Sequence, residues 1–324
     1  MRAIQIDRFG DADVMHLADV PLADPGAGEV RIRHRACGIN FIDIYHRSGL
    51  YPNSLPLVLG TEGSGVVEAV GEGVSHLAVG DRVAYAARTP GSYAEARIMP
   101  AIPVVKLPDA IDFETGAAMM LKGLTVQYLL RRTRVQLGAG DMILWHAAAG
   151  GVGLIACQWA RALGLRLIGT AGSDDKCKLA AEHGAAFTIN YRREDVVARV
   201  REITGGKGVN VVYDAVGKDT WERSLDCLAP LGLLVSFGNA SGAPAPFSVG
   251  VLAAKGSLYV QRPTLGSYLS NREAAQQMSD ELFQMVQSGK VKVPVERRYP
   301  LADAARAHRD LESRTTTGAG VLVP

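Results

Sequence analysis

Met142-Ile143-Leu144-Trp145-His146-Ala147-Ala148-Ala149-Gly150-Gly151-Val152-Gly153, running on into Leu154-Ile155-Ala156-Cys157-Gln158-Trp159-Ala160, is the stretch on which the fold of this 324-residue chain turns. An apolar run without polar alternation reads as a buried strand, and the apolar spacing after Gly153 reads as a helix. Between them the template G-x-G-x-x-G is met as Ala148-x-Gly150-x-x-Gly153, with alanine in the first place. A small residue there makes the tight turn, Gly150 lets the backbone approach a pyrophosphate, and Gly153 lets the helix pack close to the strand. Free N–H groups and partial positive charge at the helix start then face the phosphates. A glycine motif alone is weak; its place at a strand-to-helix junction makes it a dinucleotide signal.

Downstream the alternation continues. Leu165–Thr170, Ala186–Asn190, Val209–Asp214, Leu233–Phe237 and Leu258–Val260 are strand candidates, with a helix through Lys176–His183. With Met142–His146 they make six strands, the count of a doubly wound parallel sheet with helices on both faces. Upstream the texture is β-rich. Glu29–Arg35, Gly65–Val70 and Arg82–Ala86 are short apolar segments between turn signals, and Gly71, Gly73 and Gly80 suit tight turns. The tail holds a helix over about Arg272–Ser288 stopped by Gly289, a second over about Leu301–Ser313, and a strand at Gly320–Val323. Lying outside the six-strand count, the tail is expected to rejoin the N-terminal domain.

Composition narrows the function. At 324 residues two domains are the default, and 48% hydrophobic with 21% charged residues is ordinary for a soluble globular protein. A formal net charge of +2 supplies no electrostatic reason for a nucleic-acid or membrane partner. Charged residues at the N-terminus leave no apolar core for a signal peptide, and the charge-free stretch from Asp226 to Lys255 is broken by prolines and glycines. Cys37, Cys157, Cys177 and Cys227 are scattered, without a C-x-x-C pair, which argues against a disulfide framework or thiolate cluster and suits a reducing, cytoplasmic setting.

The end of the second strand indicates the cofactor. An acidic residue there would bind the ribose 2′-OH of NADH, whereas Ala171-Gly172-Ser173 is small and uncharged and leaves room for the 2′-phosphate of NADPH. Lys176 follows, and Tyr191 with Arg192 follows the third strand, which lies beside the second in such a sheet. One charge-assisted contact of about 1.5–3 kcal/mol sets roughly a 10- to 100-fold preference. Asp174 and Asp175 would oppose a phosphate if they faced it, and are expected to cap the following helix instead.

Gly60-Thr61-Glu62-Gly63-Ser64-Gly65-Val66-Val67 resembles the G-H-E-x-x-G-x-V segment of the medium-chain dehydrogenases/reductases, and Ala307-His308-Arg309-Asp310-Leu311-Glu312-Ser313-Arg314 with Gly318 resembles their C-terminal signature. The resemblance covers essentially the whole chain. It implies a GroES-like β-rich catalytic domain, residues 1–120 with 266–324, and a Rossmann NADPH-binding domain, residues 121–265. Two of the family's catalytic zinc ligands, a Cys and a His, fall at positions held here by Asn40 and Thr61, and the structural-zinc loop has no counterpart. Catalytic zinc needs three protein ligands, which these replacements do not leave.

Within the zinc-free branch, Gly38-Ile39-Asn40-Phe41-Ile42-Asp43, Arg47-Ser48-Gly49-Leu50-Tyr51-Pro52 and Leu121-Lys122-Gly123-Leu124-Thr125 are similar to quinone oxidoreductases and zeta-crystallins. This similarity implies that Asn40, Phe41, Tyr45, Thr125, Gly150, Gly151, Val152, Gly172, Lys176, Tyr191, Phe237, Gly238, Asn239, Arg262 and Arg314 line an NADPH site, with Ser173 beside them, and that the protein is a homodimer joined through the nucleotide-binding domain.

Without metal, an acceptor must take hydride unaided by a Lewis acid. A quinone does so because its reduced form is aromatic, and the protein then supplies positioning and exclusion of water. Hydride or stepwise electron delivery from NADPH to a quinone is the expected reaction. Tyr45 is expected either to place a hydroxyl near the nicotinamide or to pack on the cofactor, and Asn40 either to orient ribose or acceptor or to stabilise a turn. His146 and His308 read as structural, the latter as a packing or helix-surface residue. Two alternatives stand: an enone or alkenal double-bond reductase using the same cofactor, and a zeta-crystallin-like NADPH- or RNA-binding protein, for which the near-neutral charge gives little footing.

Overall fold

A computed structural model describes residues 1–313 and 317–324. The chain divides into two compact units, one of Met1–Leu124, Tyr268–Ser288 and Val293–Pro324, the other of Thr125–Ser267 and Gly289–Lys292.

In the second unit the strands Met142–Trp145, Arg166–Ala171, Phe187–Asn190, Val209–Asp214, Leu228–Ser236 and Tyr259–Gln261 form one sheet, and every pairing in it is parallel. Numbered by sequence within the sheet, their order is 3-2-1-4-5-6, the doubly wound arrangement. The strands are apolar on both faces because helices cover both. Leu144, Ile168, Val212 and Leu234 pack with Val196, Val200, Trp221 and Leu225 from the helices Val196–Ile203 and Trp221–Asp226. Trp145 instead lies against Tyr213 and Phe237, at ring separations of 4.8 and 5.5 Å.

The first unit is built on antiparallel pairing. Strand Glu29–Gly38 pairs with both Glu62–Val70 and Ala96–Pro100, and Glu62–Val70 pairs with Arg82–Ala86. Gly73 and Gly80, in the link to Arg82–Ala86, have φ of +80° and +93°. The tail does rejoin this unit: Ala319–Val323 runs parallel to Val295–Pro300 and antiparallel to Glu29–Gly38. The tail helices are Arg272–Gln287, ended before Gly289 at φ +70°, and Ala304–Glu312. Residues Gly289–Lys292 group with the second unit instead. There the Gln158 side chain donates to the Lys292 carbonyl at 3.0 Å and accepts from its N–H at 2.8 Å. Among the described residues no helix is long and apolar enough to cross a membrane.

Candidate functional site

The glycine loop leaves strand Met142–Trp145 and enters helix Gly151–Ala162 with Gly150 as N-cap. The left-handed residue of the turn is Ala147, at φ +56°, one position before Ala148. Ala148 is small for another reason: a Cβ on Gly169 of the neighbouring strand would lie 2.6 Å from its methyl, so the methyl sits directly on the strand backbone. Gly153 is required by the fold, since a Cβ would stand 2.5 Å from the Ala148 carbonyl oxygen. Gly150 is not. Its φ is −79°, and a Cβ would meet only the Ala147 oxygen at 3.3 Å. A glycine the protein itself does not need, at the mouth of a helix of free N–H groups, fits a pyrophosphate cradle.

Ser173 caps helix Asp174–Glu182, its Oγ accepting from the Lys176 N–H at 3.3 Å. The expectation that Asp174 and Asp175 cap this helix is therefore corrected. Both lie in its first turn, and Asp174 is engaged sideways by Asn190 and Arg193. Tyr191 follows strand Phe187–Asn190 and closes over Gly172, where a Cβ would meet its hydroxyl at 2.5 Å. Gly172, Ser173, Lys176 and Tyr191 thus gather at one corner.

Further along the same sheet edge, Phe237 donates its N–H to the Asp214 carbonyl at 2.8 Å, and Gly238 packs on Ala215, whose carbonyl oxygen a Cβ would meet at 2.7 Å. Asn239 accepts from the Gly242 N–H at 2.9 Å, and Arg262 donates to the Ser236 carbonyl at 2.8 Å. All these residues follow the carboxyl ends of parallel strands, where ligands bind in such sheets. Under them runs a buried relay: His146 joins Thr170 and Ser224, each at 3.0 Å, and Ser224 and Thr220 donate to Asp214 at 2.8 and 2.7 Å. Burial lowers the His146 pKa, so the ring is held as a neutral hydrogen-bonding strut. Thr125 is buried in helix Phe113–Arg131, and Arg314 lies outside the described residues.

The first unit holds Asn40, Phe41 and Tyr45. Asn40 is N-cap of helix Phe41–Ser48, 4% exposed, with its backbone N–H donating to Asp43 Oδ2 at 2.9 Å. Its side-chain Nδ2 donates to Glu62 Oε2 at 2.7 Å, so it serves more than a turn. Glu62 is fully buried and also accepts from the Leu121 N–H at 2.7 Å, while the Lys122 ammonium stands 3.6 Å away and donates to the Ile39 carbonyl. Burial raises the Glu62 pKa against the pull of Lys122. Tyr45 is buried between Phe41 and Tyr51, at ring separations of 6.4 and 5.2 Å.

Thr61 donates to Asp43 Oδ1 at 2.9 Å, and Tyr93 to Asp43 Oδ2 at 3.0 Å. Burial pushes the Asp43 carboxyl up to about 7 despite these donors. His308 is fully buried, the packing rather than the helix-surface alternative: Arg47 Nη1 donates to its Nδ1 at 3.1 Å, which leaves Nε2–H to donate to Tyr93, also at 3.1 Å. Arg47 also forks onto Glu312 at 2.6 and 3.1 Å. Asn40 and Thr61 are thus committed to Glu62 and Asp43. Among the described residues no three His, Cys, Asp or Glu side chains are grouped to hold a metal.

Sequence reasoning missed Glu62, Asp43, Lys122 and Tyr93 as the frame of this cluster. Glu62 and Lys122 sit inside the motifs quoted above, but their charges meet only after a strand and a helix have packed. The zinc-binding dehydrogenase family matches residues 151–284, and the alcohol dehydrogenase GroES-like domain matches residues 26–109. The chain is 56% identical over 324 residues to a quinone oxidoreductase of Pseudomonas aeruginosa, covering 100% of this chain and 99% of that one. A crystal structure of Escherichia coli quinone oxidoreductase complexed with NADPH is 52% identical with a TM-score of 0.98, all of both chains being covered. A 2-haloacrylate reductase of a Burkholderia species is 43% identical over 99% of this chain and 98% of its own.

Proposed function

The chain belongs to the quinone oxidoreductase family of medium-chain dehydrogenases/reductases, and we propose that it reduces quinones with NADPH as electron donor. The observation that carries this reading is the donor set at the two positions where zinc-dependent relatives hold ligands. An amide bonded to Glu62 and a hydroxyl bonded to Asp43 are poor seats for zinc, so the acceptor must be one that needs no Lewis acid. A quinone meets that condition.

When bound, NADPH supplies the reducing equivalents, as hydride or as electrons one at a time. Gly150, Gly151 and Val152 present backbone to its pyrophosphate, while Ser173, Lys176 and Tyr191 take the 2′-phosphate. Phe237, Gly238, Asn239 and Arg262 belong to the same binding edge, with Thr125 and Arg314 completing the set. Asn40, held in one orientation by Glu62, orients the ribose or the acceptor, and Phe41 and Tyr45 line the nicotinamide end. Tyr45→Phe separates a hydroxyl role from packing: unchanged kcat and KM would leave packing alone.

Purified protein tests the reading through NADPH oxidation with a small quinone and, in parallel, with an α,β-unsaturated carbonyl compound. Faster turnover of the quinone with NADPH than with NADH is expected; turnover of the unsaturated compound alone would instead favour double-bond reduction, the second reading, which the 2-haloacrylate reductase relative supports. A homodimer fits the edge strand Tyr259–Gln261, where Tyr259 is 58% exposed, and light scattering reports it. Four buried free thiols fit a cytoplasmic location.

A further inference from the structure

Two residues of the third strand and its following turn have a geometry that the proposed function does not use. Arg193 Nη1 donates to Asp174 Oδ2 at 2.5 Å, and the buried Asn190 Nδ2 donates to the other oxygen of the same carboxylate at 2.6 Å. Asn190 is fixed at its own other contacts: its Oδ1 accepts from the Arg192 N–H at 3.1 Å, and its backbone N–H donates to Glu194 Oε1 at 2.8 Å. The amide therefore cannot flip without losing a bond, and its donor end stays aimed at Asp174.

Asp174 is the residue directly after Ser173, in the first turn of the helix that follows the second strand. A carboxylate free to turn at that place favours a ribose hydroxyl and repels a 2′-phosphate. Asp175, the other acid of that turn, and the cations Lys176, Arg192 and Arg193 are close in sequence to it or to Asn190. Of these two acids, Asp174 is the one to which the described residues supply both a neutral donor and a cation.

We propose that Arg193 and Asn190 determine cofactor specificity by holding Asp174 and neutralising its charge, so that the end of the second strand accepts a phosphate. The inference rests on the NADPH reading above. Arg193 is a positioning residue here, acting through Asp174 and needing no contact with the nucleotide. With side-chain exposures of 72% and 60%, the Arg193–Asp174 pair adds little to folding stability, so its effect is on the local potential.

Direct titration with adenosine 2′,5′-bisphosphate and adenosine 5′-monophosphate tests this in the wild type, in Arg193→Ala and in Arg193→Ala with Asp174→Asn. The wild type is expected to prefer the bisphosphate. Arg193→Ala should weaken the bisphosphate on the order of tenfold and leave the monophosphate unchanged, because one positive charge is lost and one negative charge freed. Adding Asp174→Asn should restore most of that loss. A loss that Asp174→Asn does not restore would show Arg193 contacting the phosphate itself and overturn the proposal, as would no loss at all. A wild type without preference between the two ligands would overturn the NADPH reading, and the proposal with it.

Discussion

Lys122→Met removes the ammonium standing 3.6 Å from Glu62 Oε2 in a region from which water is excluded. Glu62 is already pushed up by burial, and Lys122 is the largest influence opposing that rise. Breaking a buried pair from one side costs about 3–5 kcal/mol when the remaining charge is ionised. The sign with pH follows. In the variant the folded-state pKa of Glu62 climbs further above its unfolded value of 4.5, so below that value both states hold the proton and the penalty is small. As pH rises the unfolded state releases its proton first, and the penalty grows until the folded group ionises as well. Calorimetric melting of wild type and variant reads this directly. At about pH 8 the expected loss is roughly 4–7 °C, and at about pH 5 it is much smaller. Adding Glu62→Gln should recover a large part of the loss, since an amide needs no counter-charge. Equal losses at both pH values, with no recovery from the second substitution, would show that Lys122 contributes packing and not charge.

Gly153→Ala places a methyl 2.5 Å from the Ala148 carbonyl oxygen, so a loss of about 1–3 kcal/mol in chemical denaturation is expected, with nucleotide binding lost too. Gly150→Ala meets only one oxygen at 3.3 Å; it should keep its melting temperature and lose NADPH affinity by fluorescence titration. Burial pushes His34 down to about 4 and, helped by Arg47, His308 down to about 3. Their contributions are full above the unfolded value of 6.5 and are lost as pH falls through those folded values, at up to about 1.4 kcal/mol per pH unit each. Asp43, pushed up to about 7, acts the opposite way, its contribution full below 3.8 and lost as pH rises through 7. With His34, His146 and His308 lowered against Asp43 and Glu62 raised, melting temperature should fall on acidification below about pH 6.5, and a steady rise instead would contradict the assignment. Arg47→Ala should cost about 1–3 kcal/mol by leaving the buried His308 Nδ1 without its donor, and Arg47→Lys should restore little of it, because one ammonium cannot serve Gly10, His308 and both Glu312 oxygens.

The parallel sheet was legible because its strands, buried on both faces, write themselves as unbroken apolar runs, and each strand end could be placed to within a few residues. Strand Leu228–Ser236 began earlier than expected, since Pro230 and Gly232 within it read as breakers while its apolar half starts at Leu233. The glycine loop was legible as a motif, but its left-handed residue was not. Positive φ falls on Ala147, the first of three consecutive alanines, and the next of them meets Gly169 on the adjoining strand, a contact remote in sequence. Ser173 was read for its small size and its hydroxyl proved to be the cap, while Asp174, one residue on, bonds to Asn190 and Arg193. The acidic cluster was the least legible. Asp43, Thr61, Tyr93 and His308 come from four separated segments, and nothing in the local pattern of any one of them announces the other three.

Strand Ala319–Val323 lies between Val295–Pro300 and Glu29–Gly38, with Leu322 paired to Cys37. On a ribosome adding about 5–20 residues per second, Cys37 waits about 15–60 s for that partner. Most of the doubly wound unit, Thr125–Ser267, emerges in the meantime as one uninterrupted span. Biosynthesis is thereby ordered: the later-encoded unit can mature while the earlier-encoded one still exposes an unzipped sheet edge, and in that interval the nascent protein is most open to chaperones and to aggregation.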